Sequence, residues 1–338
     1  MNIYTKEGWV DIPSIVESGF PFIFIIGGRG TGKTYGGIKR QYIDKKERTI
    51  YLRRTEVELD LCMTEELNPF RKVNFDTGHD IQVVKKKKMF RIDDGEDTIG
   101  MAFALSTVAD VKSMSAEDVE CILFDEFIRD RNKRNTIKDE AAAFFGFYET
   151  VNRNRELSGR KPLTALFLSN SGDVANPLFI ELGLVSVCER AQRRGVYPFV
   201  YTSRERGILL IDLGPSSPIS AKKSDTALYR LTKDTDYYKM AIENDYVYNP
   251  ASRQAARPLR EYRPIVLVGE LGIYRHKSTG EYYVSMHKRG GAPAYEGNTL
   301  GLSRFRKQYS WLWLLYMRDG LTFESYTAES LLTSYFEK

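Results

Sequence analysis

Cysteine and histidine are both scarce, three of each in 338 residues. Cys62, Cys121 and Cys188 lie about sixty residues apart without a C-x-x-C spacing, and His79, His276 and His287 are equally scattered. That pattern excludes a disulfide framework and indicates no zinc site. Long apolar runs are missing too. The longest aromatic and aliphatic cluster, WLWLLYM at residues 311–317, falls far short of the ~18 residues of a membrane span. The opening stretch MNIYTKEGWV has no signal-peptide core, so the expectation is a cytoplasmic protein with no membrane partner. There is neither an internal repeat nor a low-complexity tract.

What is present is an ordinary globular composition, 42% hydrophobic and 28% charged, at a length that favours about two domains. The net charge of +5 hides an asymmetry. Residues 1–150 carry 23 Lys+Arg against 26 Asp+Glu, and residues 151–338 carry 27 against 19. The positive surplus of the second half suits a polyanionic partner, although a solvated basic face is the plain alternative.

Apolar runs alternate with amphipathic ones through the first two hundred residues. Strands are expected at 22–27, 49–53, 100–106, 119–124 and 163–169, and helices at about 33–43, 138–153 and 176–182. Buried strands between helices imply an α/β fold with a mostly parallel sheet. IQVVKKKKMFRIDDG, residues 81–95, reads as a hairpin whose Lys85–Lys88 run is a charged edge rather than a binding site. These patterns place a first domain at 1–205 and a connecting segment with a helix at 206–250. A small α+β domain follows at 251–338, with two strands in 264–290 joined by a turn at Lys277–Gly280 and helices near 303–318 and 326–336.

The chemistry starts at IIGGRGTGKTYGGIKR, residues 25–40, which fits G-x-x-x-x-G-K-[ST]. Gly27, Gly28, Arg29, Gly30, Thr31 and Gly32 form a loop between a strand and a helix. Its backbone N–H groups can turn onto a phosphate, Lys33 can reach the β/γ oxygens and Thr34 can hold Mg²⁺. A cradle alone does not distinguish a kinase from a hydrolase. VECILFDEF, residues 119–127, does: Asp125 can position the metal while Glu126, one residue on, deprotonates an attacking water. A second buried strand ends in Ser169 and Asn170, polar residues at the end of the sheet where ligands bind, suited to sensing the nucleotide. VNRNRE, residues 151–156, ends a helix with Arg153 and Arg155; both suit the helix dipole, and either could serve a neighbouring subunit.

Beyond residue 250 the acids thin out. Residues 251–338 hold one aspartate, Asp319, too few for a two-metal nuclease. Residues 253–307 carry eleven Lys+Arg against four glutamates, interleaved with Tyr262, Tyr274, Tyr282 and Tyr283. That is a phosphate-backbone footprint with no base-reading motif. The candidate contacts are Arg263, Arg275, Lys277, Lys288, Arg289, Arg304, Arg306 and Lys307.

GGRGTGKT, ILFDEFIRD, VNRNRE and FLSN occur in the same order and with similar spacing in the DNA-packaging ATPases of phi-29-type tailed bacteriophages. The sequence resembles these terminase-like genome-packaging motors over essentially the full chain, most strongly over residues 20–185. The resemblance implies an additional-strand, catalytic-glutamate P-loop NTPase fold followed by a degenerate ribonuclease-H-like domain. It implies ATP and Mg²⁺ as cofactors and a homo-oligomeric ring, of five subunits, on the phage portal. That ring would drive double-stranded DNA into a preformed capsid in the host cytoplasm, with or without a structural RNA. Carried over by position, Lys33 and Thr34 serve phosphate and Mg²⁺, Asp125 the metal, and Glu126 is the base. Arg153 matches a trans-acting arginine, Lys112 stands where a second trans-acting basic residue is found, and Arg29 resembles an extra loop arginine. A nuclease-competent terminase large subunit, a helicase and a non-hydrolysing nucleotide clamp are the rival expectations.

Overall fold

The computed structural model describes residues 1–86, 89–110, 116–129, 137, 139–170, 176–214, 217–219, 226–233, 235 and 255–337. Two compact units result, one formed by Met1–Leu182 with Arg190–Val247 and the other by Gly183–Glu189 with Tyr248–Lys338. No described helix is long and apolar enough to cross a membrane.

The first unit is built on nine strands: β1 (Phe22–Gly27), β2 (Thr49–Arg53), β3 (Ile81–Lys86), β4 (Met89–Asp94), β5 (Asp97–Ala104), β6 (Cys121–Asp125), β7 (Thr164–Asn170), β8 (Phe199–Ser203) and β9 (Ile208–Asp212). Their order across the sheet is β3-β4-β5-β2-β6-β7-β1-β9-β8. The six central strands, β5 to β9 in that order, run parallel, and antiparallel partners close both ends. Parallel strands need cover on both faces, which is why β1 reads FIFI with Ile23 to Ile26 fully buried. One face stacks Phe24 on Phe167 at 4.1 Å between ring centres, with Phe127 and Phe179 at its edges. The other packs Ile23 and Ile25 with Ile38, Leu123, Leu166 and Leu168. Each such side chain stabilises the unit by roughly 1.5–3 kcal/mol through burial.

Helices α1 (Ile12–Val16), α2 (Lys33–Ile38), α3 (Glu56–Cys62), α4 (Arg71–Thr77), α5 (Glu140–Asn152), α6 (Pro177–Glu181), α7 (Val185–Arg194) and α8 (Ala227–Leu231) follow in chain order. A wider turn, Lys39–Asp44, prolongs α2. Asp139 caps α5 by accepting from the Ala142 N–H at 3.0 Å, a cap worth about 1 kcal/mol. The 81–95 hairpin forms as expected, with β3 at the sheet edge and Lys85 paired to Asp60 at 3.1 Å. Lys87 and Lys88 lie outside the described residues.

The segment beginning at 206 departs from its expected role as a connector. Its ILLID run is β9, wholly buried and parallel to β1. Five consecutive apolar or strand-end residues flanking the phosphate-loop strand are core, and the Pro/Ser cluster that follows marks the end of that strand.

The second unit's sheet runs β13-β10-β11-β12-β14, from β10 (Tyr262–Val268), β11 (Leu271–His276), β12 (Tyr282–Ser285), β13 (Ala294–Tyr295) and β14 (Leu321–Phe323). Where two strands are expected in 264–290, three form. The chain turns back at Gly269, whose φ of +51° a side chain would resist. Helices α9 (Thr299–Met317) and α10 (Tyr326–Glu337) bring Leu302, Phe305, Leu312 and Leu332 onto Val266, Ile273, Val284 and Phe323.

Candidate functional site

The site forms at the carboxyl ends of β1, β2, β6 and β7. At the end of β1, Gly27 sits so close to Leu213 that a side chain would begin 2.6 Å from its Cβ, so only glycine lets the loop start there. Gly32 caps α2 with φ +90°. Lys33 is buried at 6% exposure. Its ammonium folds into the loop, donating to the carbonyls of Gly27 at 3.0 Å and Gly28 at 2.8 Å and approaching Asn170 Oδ1 at 3.5 Å. The loop thus holds a cation at its centre, with Arg29 exposed at its tip.

Thr34 Oγ1 donates to Asp125 Oδ1 at 2.8 Å. This joins the loop's hydroxyl to the carboxylate that ends β6, and such a hydroxyl–carboxylate pair fits a hard divalent cation. Asp125 is 3% exposed. Its other oxygen accepts from Tyr51 Oη at 3.0 Å and Arg53 Nη1 at 3.2 Å. Arg53 Nη2 reaches on to Glu126 Oε2 at 3.0 Å, so one guanidinium spans both acids. Burial opposes the charge of Arg53, yet Tyr51, Asp125 and Glu126 around it raise its pKa well above the ordinary value. Burial first and Asp125 second push the Tyr51 phenol up, keeping it a neutral donor. Glu126 itself is half exposed, at 50% of its side chain, and holds a φ of +53°. For a residue with a side chain that conformation costs of order 1–3 kcal/mol, and such strain clusters at active sites.

Tyr51 and Arg53 were not among the residues singled out from sequence. Their spacing is the available signal, since residues two apart on a strand share a face and β2 pairs with β6 in register, Leu52 beside Phe124. Arg54 forms an ion pair with Glu140, the first residue of α5.

The remaining expected residues separate. Asn170 faces the loop lysine, whereas the Ser169 hydroxyl accepts from the Ile128 N–H at 3.3 Å and so supports the chain after Glu126. Arg153 is exposed at the C-cap of α5 with φ +44°. Arg155, two residues on, is buried and donates to the Val119 carbonyl at 2.8 Å and Glu120 at 2.7 Å, a structural role. Lys112 lies outside the described residues.

In the second unit, Arg263 and Arg275 stand opposite each other across β10 and β11, with Arg275 over the Tyr282 ring. Lys277, Lys288 and Arg289 donate to the backbone carbonyls of Arg260, Gly269 and Leu259. Arg304 and Lys307 line a cavity of about 510 Å³ with Tyr295 and Gln308. Arg306 is half-buried and donates to the Tyr335 carbonyl at 3.3 Å, tying α9 to α10. Among the described residues no group of three or more His, Cys, Asp or Glu could hold a metal ion.

Residues 16–256 match the family model of the podovirus DNA encapsidation protein, Gp16. The DNA packaging protein of Bacillus phage phi29 is 32% identical over 228 residues, 66% of this chain and 61% of that protein. That of Bacillus phage B103 is equally identical over 66% of this chain and 64% of its own. The match therefore spans less than two thirds of the relatives' length. Among solved structures, the bacteriophage Phi-29 viral genome packaging motor assembly superposes with a TM-score of 0.67 over 99% of both chains at 22% identity. The Phi-28 gp11 DNA packaging motor gives 0.63 over 98% of this chain and 97% of that one at 20%. At those identities the likeness is one of fold.

Proposed function

The chain belongs to the podovirus DNA encapsidation protein (Gp16) family, and from that premise we propose that it is an ATP hydrolase that drives double-stranded DNA into a preformed phage capsid. The observation that carries the reading is the join between Thr34 and Asp125, with Glu126 next in the chain and half exposed. Phosphate loop, metal carboxylate and water-activating base then lie at adjacent strand ends.

Residues 27–32 cradle the phosphates, and Lys33 exchanges its loop carbonyls for β/γ oxygens. Thr34 and Asp125 would hold Mg²⁺, which neutralises charge on the transferred phosphate. Glu126 takes a proton from water. Arg53 is hydrogen-bonded to one of the Glu126 oxygens, Oε2, and a carboxylate keeps further lone pairs open to accept that proton. Asn170 senses the lysine's position. Arg153, with Lys112, acts on the neighbouring subunit's phosphates, in a five-membered ring on the portal. The first domain takes in β9, so the division between domains falls near residue 250. The second domain grips DNA phosphates without cutting, in keeping with its single aspartate, and the ring works with or without a structural RNA.

Glu126→Gln tests the reading by steady-state ATPase assay with and without linear double-stranded DNA. The amide still hydrogen-bonds but accepts no proton, so turnover should fall about 10²–10⁴-fold with ATP binding retained. Turnover equal to the wild type would remove Glu126 from the base role.

A further inference from the structure

The N-terminal residues have no part in the hydrolysis just described, yet they roof the phosphate loop. Tyr4 and Val10 bridge antiparallel, the Thr5 N–H donates to the Trp9 carbonyl at 2.7 Å, and the Gly8 N–H closes the turn onto Thr5. The turn is fastened to the loop where the Val10 N–H donates to the Thr31 carbonyl at 3.0 Å. Two glycines one helical turn apart make the approach possible. A side chain at Gly32 would begin 3.3 Å from the Trp9 ring, and one at Gly36 would begin 2.8 Å from Ile12. Trp9 is the sole tryptophan of the first unit and is 42% exposed, whereas Phe24, Phe124, Phe127, Phe144, Phe167 and Phe179 are buried as core.

The roof also has a side. Tyr4 Oη donates to the Leu213 carbonyl, Leu213 is bonded to Ile26, and Gly8 lies against Pro218. All of these contacts fall on the β9 flank of β1. Thr34, Asp125, Glu126 and Asn170 belong to the opposite flank, toward β7 and β6. A nucleotide whose terminal phosphate faces Glu126 must send its ribose and base the other way, to the flank that Trp9 covers. The same turn carries the Thr5 hydroxyl, shielded from solvent and without a hydrogen-bond partner.

We propose that Trp9 is the stacking platform for the nucleobase of the bound nucleotide, so that the N-terminal turn makes the cradle a site for a nucleoside triphosphate and not for polyphosphate at large. The inference rests on the nucleotide-binding part of the function proposed above. Stacking on an aromatic ring tolerates any base, so ATP and GTP should both gain from it.

The test compares full-length wild type, Trp9→Ala and Trp9→Phe for binding of Mg–ATP and Mg–tripolyphosphate by calorimetry. Trp9→Ala should weaken ATP roughly five- to a hundredfold and leave tripolyphosphate unchanged, which also shows that the loop is folded. Trp9→Phe should recover most of the loss. ATP affinity unchanged in Trp9→Ala, or ATP and tripolyphosphate weakened equally, overturns the platform and leaves hydrolysis standing. A wild type that binds neither ligand overturns the nucleotide reading and the platform with it.

Discussion

Around Asp125 the first unit pairs and buries its charge: Thr34, Tyr51 and Arg53 converge on one carboxylate, and the guanidinium that serves it also holds Glu126. In the second unit, Arg263, Arg304 and Lys307 are exposed, and the acids that would answer them are few. The contrast follows from the work proposed for each. Proton transfer needs donors and acceptors fixed to fractions of an ångström in a site of low polarity, so charge is expensive there and every group is held. Moving along a duplex of any sequence needs contacts that form and break, and exposed cations on phosphates provide them.

The largest expected effect concerns the two arginines that leave α5. Arg155 is anchored inside its own subunit, whereas Arg153 is exposed at the C-cap of α5 with φ +44°. An arginine supplied to a neighbour's phosphates is worth about 10³–10⁵ in rate. Arg153→Ala and Lys33→Ala should each be nearly inactive alone. Co-assembled, a Lys33→Ala subunit can present Arg153 to the intact loop of an Arg153→Ala neighbour, and part of the ATPase activity should return. Mixed rings that recover nothing would confine Arg153 to its own subunit. Arg155→Ala mixed with Lys33→Ala is the control, since a structural arginine gives no complementation.

Next in size is the cost of disturbing buried charge. Arg54 and Glu140 are paired with side chains 3% and 4% exposed. Glu140→Ala leaves a buried guanidinium without its carboxylate and should cost about 3–5 kcal/mol of unfolding free energy, read from denaturant midpoints. Arg304→Ala in the exposed set should change the midpoint by less than about 0.5 kcal/mol. Equal losses at the two positions would erase the distinction between the units.

Much of the first unit was legible because its strands are buried on both faces. Short runs rich in β-branched and aromatic residues, such as FIFII and CILF, read as buried strands by their length and flanking residues, and the phosphate loop and the Asp125–Glu126 pair are written in the sequence itself. What escaped was set by partners remote in sequence. Arg53 looks like any strand-end arginine until β2 is known to lie beside β6. Ser169 and Asn170 are neighbours in sequence but point to different tasks, because alternate strand residues face opposite sides. From 264 to 276 the apolar pattern reads as one strand, since the positive φ of Gly269 leaves no trace in it. ILLID at 208–212 falls inside the expected connecting segment, which the Pro/Ser cluster after it and the break at Asn249-Pro250 mark off, and its place beside β1 is set by pairing remote in sequence.

The smallest effect separates residues inside the basic set. Arg304, Arg306 and Lys307 read alike as a cationic cluster, yet Arg306 turns inward to the Tyr335 carbonyl while Arg304 and Lys307 flank one cavity with Tyr295 and Gln308. Each cation that touches a phosphate releases counterions, so its removal should lower the log–log salt slope of DNA binding by roughly one unit, equally for unrelated sequences. Arg304→Ala and Lys307→Ala should each do so. Arg306→Ala should leave the slope alone and instead loosen α10 from α9, lowering the unfolding midpoint. A slope that falls with Arg306→Ala and holds with the other two would move the phosphate contacts to the opposite side of α9, and the cavity beside Tyr295 would then have no part in gripping DNA.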